Sequence, residues 1–263
     1  MAAAELNPEP LTSELREADR TLPGIELLLV LGVSLGQSAI YSILSILEKA
    51  TRGTPLNQQT TSINSSVVPD RPWLDLSYQV AGVVFPLVPA LLALYLLHRT
   101  ADRTRIGFDL RRPGFDLSRG FGLAAVIGIP GLALYFAARA FGLNTNVAPA
   151  NLAANWWTVP VLIALAAMNA ILEEVVMIGF WFVRATQLKW APWAVLLSSA
   201  VVRGSYHLYQ GYGGFVGNIV MGIVFGLAYW RFKRVGPLVV AHFLLDFFAF
   251  VGYSLIAPYV SWL

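Results

Sequence analysis

Seven apolar runs constrain this chain more than anything else about it: 27–47, 76–97, 120–138, 156–183, 190–209, 212–230 and 235–258. Each is close to the ~20 residues a helix needs to cross the hydrocarbon of a bilayer. Inside lipid the backbone must satisfy its own hydrogen bonds, so such runs predict helices. The expected fold is therefore all-α, a polytopic membrane bundle of seven or eight transmembrane helices. Prolines 86, 89 and 130 fall inside runs, where bilayer helices tolerate them. Composition agrees. Hydrophobic residues make up 57% of the chain and charged residues 13%, and mean hydropathy is +0.63, values that exclude a soluble enzyme or a disordered chain. Residues 1–24 are polar and acidic, read as a tail rather than a cleavable signal. Residues 25–263 form one membrane domain. With no cysteine, disulfides, thiolate ligands and cysteine nucleophiles are excluded.

The net charge of +3 is not a nucleic-acid signal, because the basic residues gather in short connections between runs. Arg99, Arg103, Arg105, Arg111, Arg112 and Arg119 flank the second connection, Arg184 and Lys189 the fourth, and Arg231, Lys233 and Arg234 the sixth. Connections 141–155 and 210–211 have no Lys or Arg. This alternation predicts a cytoplasmic amino terminus and an outer carboxyl terminus. The first loop, 48–75, must then lie outside although it carries Lys49, Arg52 and Arg71. Scarce Lys beside Arg, with abundant Ala, suggests a bacterial plasma-membrane protein.

Charges within the runs carry the functional signal. An ionisable group at bilayer depth costs roughly 2.5–3.5 kcal/mol on insertion scales, so each one needs a reason. They fall in three runs: Glu173 and Glu174 in the fourth, Arg203 and His207 in the fifth, His242 and Asp246 in the seventh. The last two pairs are four apart and share a helix face. The adjacent glutamates are about 100° apart around a helix, which implies separate roles. Structural ion pairing explains one such pair more easily than six groups in three runs.

A carboxylate beside a neutral imidazole can hold and deprotonate water, and a second imidazole can support an oxyanion. These are the parts of a hydrolase without a covalent nucleophile. Ser205 is two residues from His207 and faces away from it. Zinc ligation by Glu, His, His and Asp is the competing chemistry, although no HExxH and no His-x-x-x-His occurs. No cofactor is expected.

Glu173–Glu174, then RGSYHLYQG from Arg203 to Gly211, then His242-x-x-x-Asp246 together resemble the three motifs of the CAAX-processing and bacteriocin-processing membrane endopeptidases, also called the abortive-infection or type II CAAX prenyl endopeptidase-like family. The resemblance covers about 160–251. It implies a helical bundle with a cavity reached from the cytoplasm. It also implies water activation by Glu173 and His207, oxyanion support by His242 and Asp246, and an orienting role for Glu174. Two departures stand out. Position 178 is Ile where the family has Arg, and position 203 is Arg where it has Phe. Arg203 is therefore expected to replace the missing cation electrostatically. Asp246 stands where Asn is an alternative, and unlike Asn it donates only when protonated.

Depth raises a difficulty. At 1.5 Å per residue Glu173 lies ~16 Å from Arg184, His242 ~12 Å from Arg234, and His207 ~21 Å from Trp193. These levels meet only if the fifth run tilts or starts outside the hydrocarbon. The reading is an intramembrane endopeptidase acting on a membrane-associated or lipidated protein or peptide. The alternatives are a proton-coupled transporter, or a catalytically lapsed immunity or scaffold protein. Transporters commonly show repeated halves, whereas every deep charge here falls in the carboxyl-terminal half.

Overall fold

The computed structural model describes residues 9–99, 106–256 and 259, with side chains from Thr21 onward. Residues 1–8 of the acidic tail, Arg103 and Arg105 of the basic connection, and the end of the seventh run at Pro258 lie outside the described residues. The chain is mostly helical. In order it forms α1 (Glu9–Gly32), α2 (Leu35–Thr51), β1 (Thr60–Ser65), α3 (Pro72–Arg99), α4 (Pro113–Ala140), β2 (Asn146–Asn151) and α5 (Thr158–Glu173). A π-helical stretch (Glu174–Phe180) leads into α6 (Trp181–Gln187). Then follow α7 (Pro192–His207), α8 (Tyr212–Phe232), α9 (Gly236–Phe247), a second π-helical stretch (Phe248–Gly252) and α10 (Tyr253–Ile256).

Among the described residues five helices are long and apolar enough to cross a membrane: 72–99, 113–140, 158–187, 212–232 and 236–256. A sixth span is available only if Thr21–Gly32 and Leu35–Thr51 count as one. The expected seven or eight are not reached, for two reasons. The first apolar run is two helices bent by 50°. Ser34 leaves helical geometry there (φ −141°, ψ −119°), and its hydroxyl bonds back to the Val30 carbonyl, a known way for Ser to break a helix. The fifth run forms only the 16 residues of α7.

The 158–187 helix is central. Inside the protein, 72% of its apolar window is buried, against 6–22% for the other four. It packs against α3 and α9, while α7 packs against α2 and α8.

Two short strands were not expected. β1 and β2 pair in parallel, Thr60 opposite Asn146 and Ser65 opposite Asn151, so loops 48–75 and 141–155 join at one end of the bundle. Those are the two long loops that the charge pattern assigns to a common face. The turn after α7 joins them: Gly211 bridges to Asn144 at φ +124°, where a Cβ would lie 2.6 Å from the Asn144 Cα. Only glycine fits there. At the opposite end the Val235 N–H donates to the Ile106 carbonyl at 2.8 Å, tying the basic connections together.

Candidate active site

α5 and its π-helical continuation run antiparallel to α9, so the five-residue step from Asn169 to Glu174 faces the four-residue step from Asp246 back to His242. Two cross-links result. His242 Nδ1 donates to Glu174 Oε1 at 2.7 Å, and Asn169 Nδ2 donates to Asp246 Oδ2 at 3.0 Å. Along α9 itself His242 Nε2 is 3.8 Å from Asp246 Oδ1. The third helix, α7, brings in Arg203, whose Nη2 donates to the same Glu174 Oε1 at 2.7 Å. Glu174 therefore accepts from an imidazole and a guanidinium at once, with no exposure of its own.

The depth difficulty disappears with this geometry. The α7 residue level with the glutamates is Arg203, not His207. Ten residues separate Glu174 from Arg184 and Arg203 from Trp193, ~15 Å in each case at 1.5 Å per residue. His207 sits one turn further toward the strand end.

Glu173 and Glu174 point to different partners, as their angular separation requires. Glu173 Oε2 accepts from the Tyr206 hydroxyl at 2.7 Å and lies 3.7 Å from Arg203 Nη1. It lines a cavity of about 340 Å³ together with His207, His242, Asp246, Asn169 and Tyr206; Glu174 is not part of that wall. Ile63 and Asn64 of β1 also line it, so the cavity extends to the strand end. A groove beside α2 adjoins it, with Ser38, Tyr206 and Tyr209 in both walls.

His207 Nδ1 is 3.1 Å from the Arg203 carbonyl. A carbonyl only accepts, so this nitrogen carries the hydrogen, and in the neutral ring Nε2 is left with its lone pair. Ser205 donates to the carbonyl of Val201 on its own helix.

The π-helical stretch begins at Glu174, in the middle of the pair. A π turn leaves backbone groups without regular partners, and Ser199 Oγ donates to the Met177 carbonyl there at 2.7 Å. Ile178, at the position of the absent family Arg, is fully buried. The guanidinium that meets Glu174 comes instead from α7, as the paired departures at 178 and 203 predict.

All six residues singled out in the sequence meet here: Glu173, Glu174, Arg203, His207, His242 and Asp246. The motifs do not point to Tyr206 or Asn169. Nothing in sequence separates Tyr206 from a packing aromatic. Asn169 was legible, as the sole polar residue of α5 between Thr158 and Glu173, four residues before the latter. Among the described residues no group of three or more His, Asp and Glu side chains could hold a metal ion.

Residues 155–248 match the family model described as type II CAAX prenyl endopeptidase Rce1-like. The matched segment contains all three motifs, from Glu173 to Asp246. No curated protein and no solved structure matches the chain.

Proposed function

We propose that this chain is an intramembrane endopeptidase that uses a water activated by Glu173 and His207 to cleave a peptide bond in a membrane-associated or lipidated protein or peptide. One observation carries the reading: Glu173 shares a cavity with His207 and His242, while Glu174 is held outside it by Arg203 and His242. The first carboxylate is available to a reacting molecule and the second is an anchor.

In this mechanism Glu173 takes a proton from water as the oxygen adds to the scissile carbonyl. The Tyr206 hydroxyl fixes the carboxylate, and His207 Nε2 accepts from the same water. His242, oriented by Glu174, supports the negative oxygen of the tetrahedral intermediate. Glu173 then passes its proton to the departing amine nitrogen as the C–N bond breaks. Asp246 orients its neighbours rather than donating. No cofactor takes part.

The charge pattern and the cavity's direction together favour access from the outer face of a bacterial plasma membrane. This departs from the cytoplasmic access that the resemblance implies. The amino terminus is then cytoplasmic and the carboxyl terminus outside.

The test incubates protein in phospholipid vesicles with a solubilised bacterial membrane proteome and reads new peptide termini by mass spectrometry. Wild-type protein should create termini in outward-facing segments, and chelators should leave them unchanged. Glu173→Gln, which keeps shape but removes the proton acceptor, should lower their rate by roughly 10²–10⁴-fold. Wild type without new termini, or Glu173→Gln with undiminished rate, overturns the reading. Loss on chelation with recovery on adding zinc replaces it with metal hydrolysis.

A further inference from the structure

An ionised aspartate has no hydrogen to give, so Asp246 cannot itself stabilise an oxyanion. His242 alone would leave the developing charge with a single side-chain donor. The cavity holds a second donor on another helix. Asn169 stands one turn from Glu173 on the same face of α5, toward the strand end, and lines the cavity beside it. Its Nδ2 donates one hydrogen to Asp246 Oδ2 at 3.0 Å. An amide nitrogen carries two hydrogens, and the Asn169 side chain makes no other hydrogen bond among the described residues.

The placement is consistent across the three helices. Glu174, Arg203 and His242 meet at one level. One turn further toward the strand end come Asn169 on α5, His207 on α7 and Asp246 on α9. Glu173, Asn169 and His207 line the same cavity, so a carbonyl held there for attack by a water on Glu173 comes within the space that Asn169 also borders. Asn64 and Gln210 also line the cavity and each likewise donates one hydrogen, to the Pro149 carbonyl and the Tyr209 hydroxyl, but they come from β1 and the turn after α7, not from the helix that carries Glu173.

We propose that Asn169 is a catalytic residue of the peptidase: its remaining N–H, held in position by Asp246, donates to the carbonyl oxygen of the scissile bond as that oxygen becomes an oxyanion. The inference rests on the hydrolytic reading above. It assigns Asp246 the task of aiming an amide, which an aspartate can do by accepting.

The experiment follows the same membrane proteome, and a synthetic peptide spanning the most frequent new terminus then serves as the kinetic substrate. Asn169→Leu should lower kcat by roughly 10²-fold, the loss typical of one oxyanion donor, with KM within about twofold. Asn169→Asp should be equally impaired. The exchange Asn169→Asp with Asp246→Asn keeps a carboxylate–amide pair across the two helices and should recover kcat to within about tenfold of wild type. Thermal unfolding of each variant identifies any that fails to fold, and the exchange variant gives the answer where Asn169→Leu does not fold. Asn169→Leu with kcat within about threefold of wild type, a loss confined to KM, or an exchange no better than Asn169→Asp overturns the inference. These outcomes occur with an active wild type, so they leave the peptidase reading standing. A wild type that makes no termini ends both.

Discussion

Arg203 and Arg234 each meet two carboxylates, and the two clusters are finished to different degrees. Arg234, in the turn between α8 and α9, donates Nε and Nη2 to the two oxygens of Asp116 at 2.8 and 2.7 Å, and Nη2 also reaches Asp109. Both Asp116 oxygens are used, in the fork geometry that suits a guanidinium. Arg203 is more deeply buried yet less satisfied. Its Nε and Nη1, and Glu174 Oε2, have no hydrogen-bond partner among the described residues. The Arg234 clamp ties the 106–116 segment to the start of α9 and touches no cavity wall that Glu173 shares. The unused atoms of the other cluster belong to Arg203 and Glu174, which stand behind the cavity wall that Glu173 and His242 form, and each such buried atom carries a cost. The clamp is complete and lies away from that cavity; the other cluster is incomplete and joins Glu173 and His242, which line it.

The largest effect expected from breaking this contrast is at Arg203. Arg203→Phe leaves Glu174 buried without its cation, which should cost about 3–5 kcal/mol in unfolding experiments and remove peptidase activity. Adding Ile178→Arg returns a guanidinium one helical turn from Glu174. The double variant should recover most of the stability and part of the activity. The informative quantity is the coupling between the two changes, read from unfolding of all four proteins in the same detergent. A double variant no more stable than Arg203→Phe would mean that Arg203 is there for packing against neighbours such as Phe225, whose ring centroid is 5.7 Å from its Cζ.

At the clamp the expected effect is smaller and of another kind. Asp116→Asn keeps the shape but removes the charge that accepts both Arg234 bonds, and should cost about 2 kcal/mol. Its kcat should stay at the wild-type value once the protein is folded. A fall in kcat without a fall in stability would contradict the structural assignment.

The contrast was only partly visible in sequence. Charges inside apolar runs stand out because lipid makes each one costly, and four-residue spacing shows which of them share a face. That is enough to assemble Glu174, Arg203 and His242, and to anticipate that a cation lost at 178 returns at 203. What stayed hidden depends on tertiary structure. The π turn at Glu174 has no distinct residue signature. β1 (TTSINS) lacks apolar alternation, and β2 (NVAPAN) contains Pro149, so each is a strand only because the other is beside it. The break at Ser34 falls within an uncharged run, where hydropathy alone reads straight through. The Arg234 clamp was hidden because its residues look like ordinary loop charges: nothing in sequence links Asp109 and Asp116 to a residue more than a hundred positions away.

The smallest expected effect tests the exposed edge of that clamp through pH. Asp109 lies in the connection before α4, outside the membrane-spanning segments. The Arg111 backbone N–H, and then the Arg234 guanidinium, hold its carboxyl below the usual carboxylate range. The side chain is 29% exposed, so solvent and salt screen the pair and its contribution is modest. A depressed folded value means that the ionised form favours the folded protein. The contribution is complete above the unfolded-chain value of about 3.9 and is lost as pH falls below it through the folded value. Asp109→Asn removes that titration. Its Tm should lie slightly below wild type at neutral pH, and the gap should narrow as both proteins are taken below about pH 4. High salt should narrow the neutral-pH gap too, whereas the deeper Asp116→Asn deficit should respond little. A gap that does not change with pH would show that Asp109 acts through its geometry alone, leaving Asp116 as the only charge in the clamp that matters.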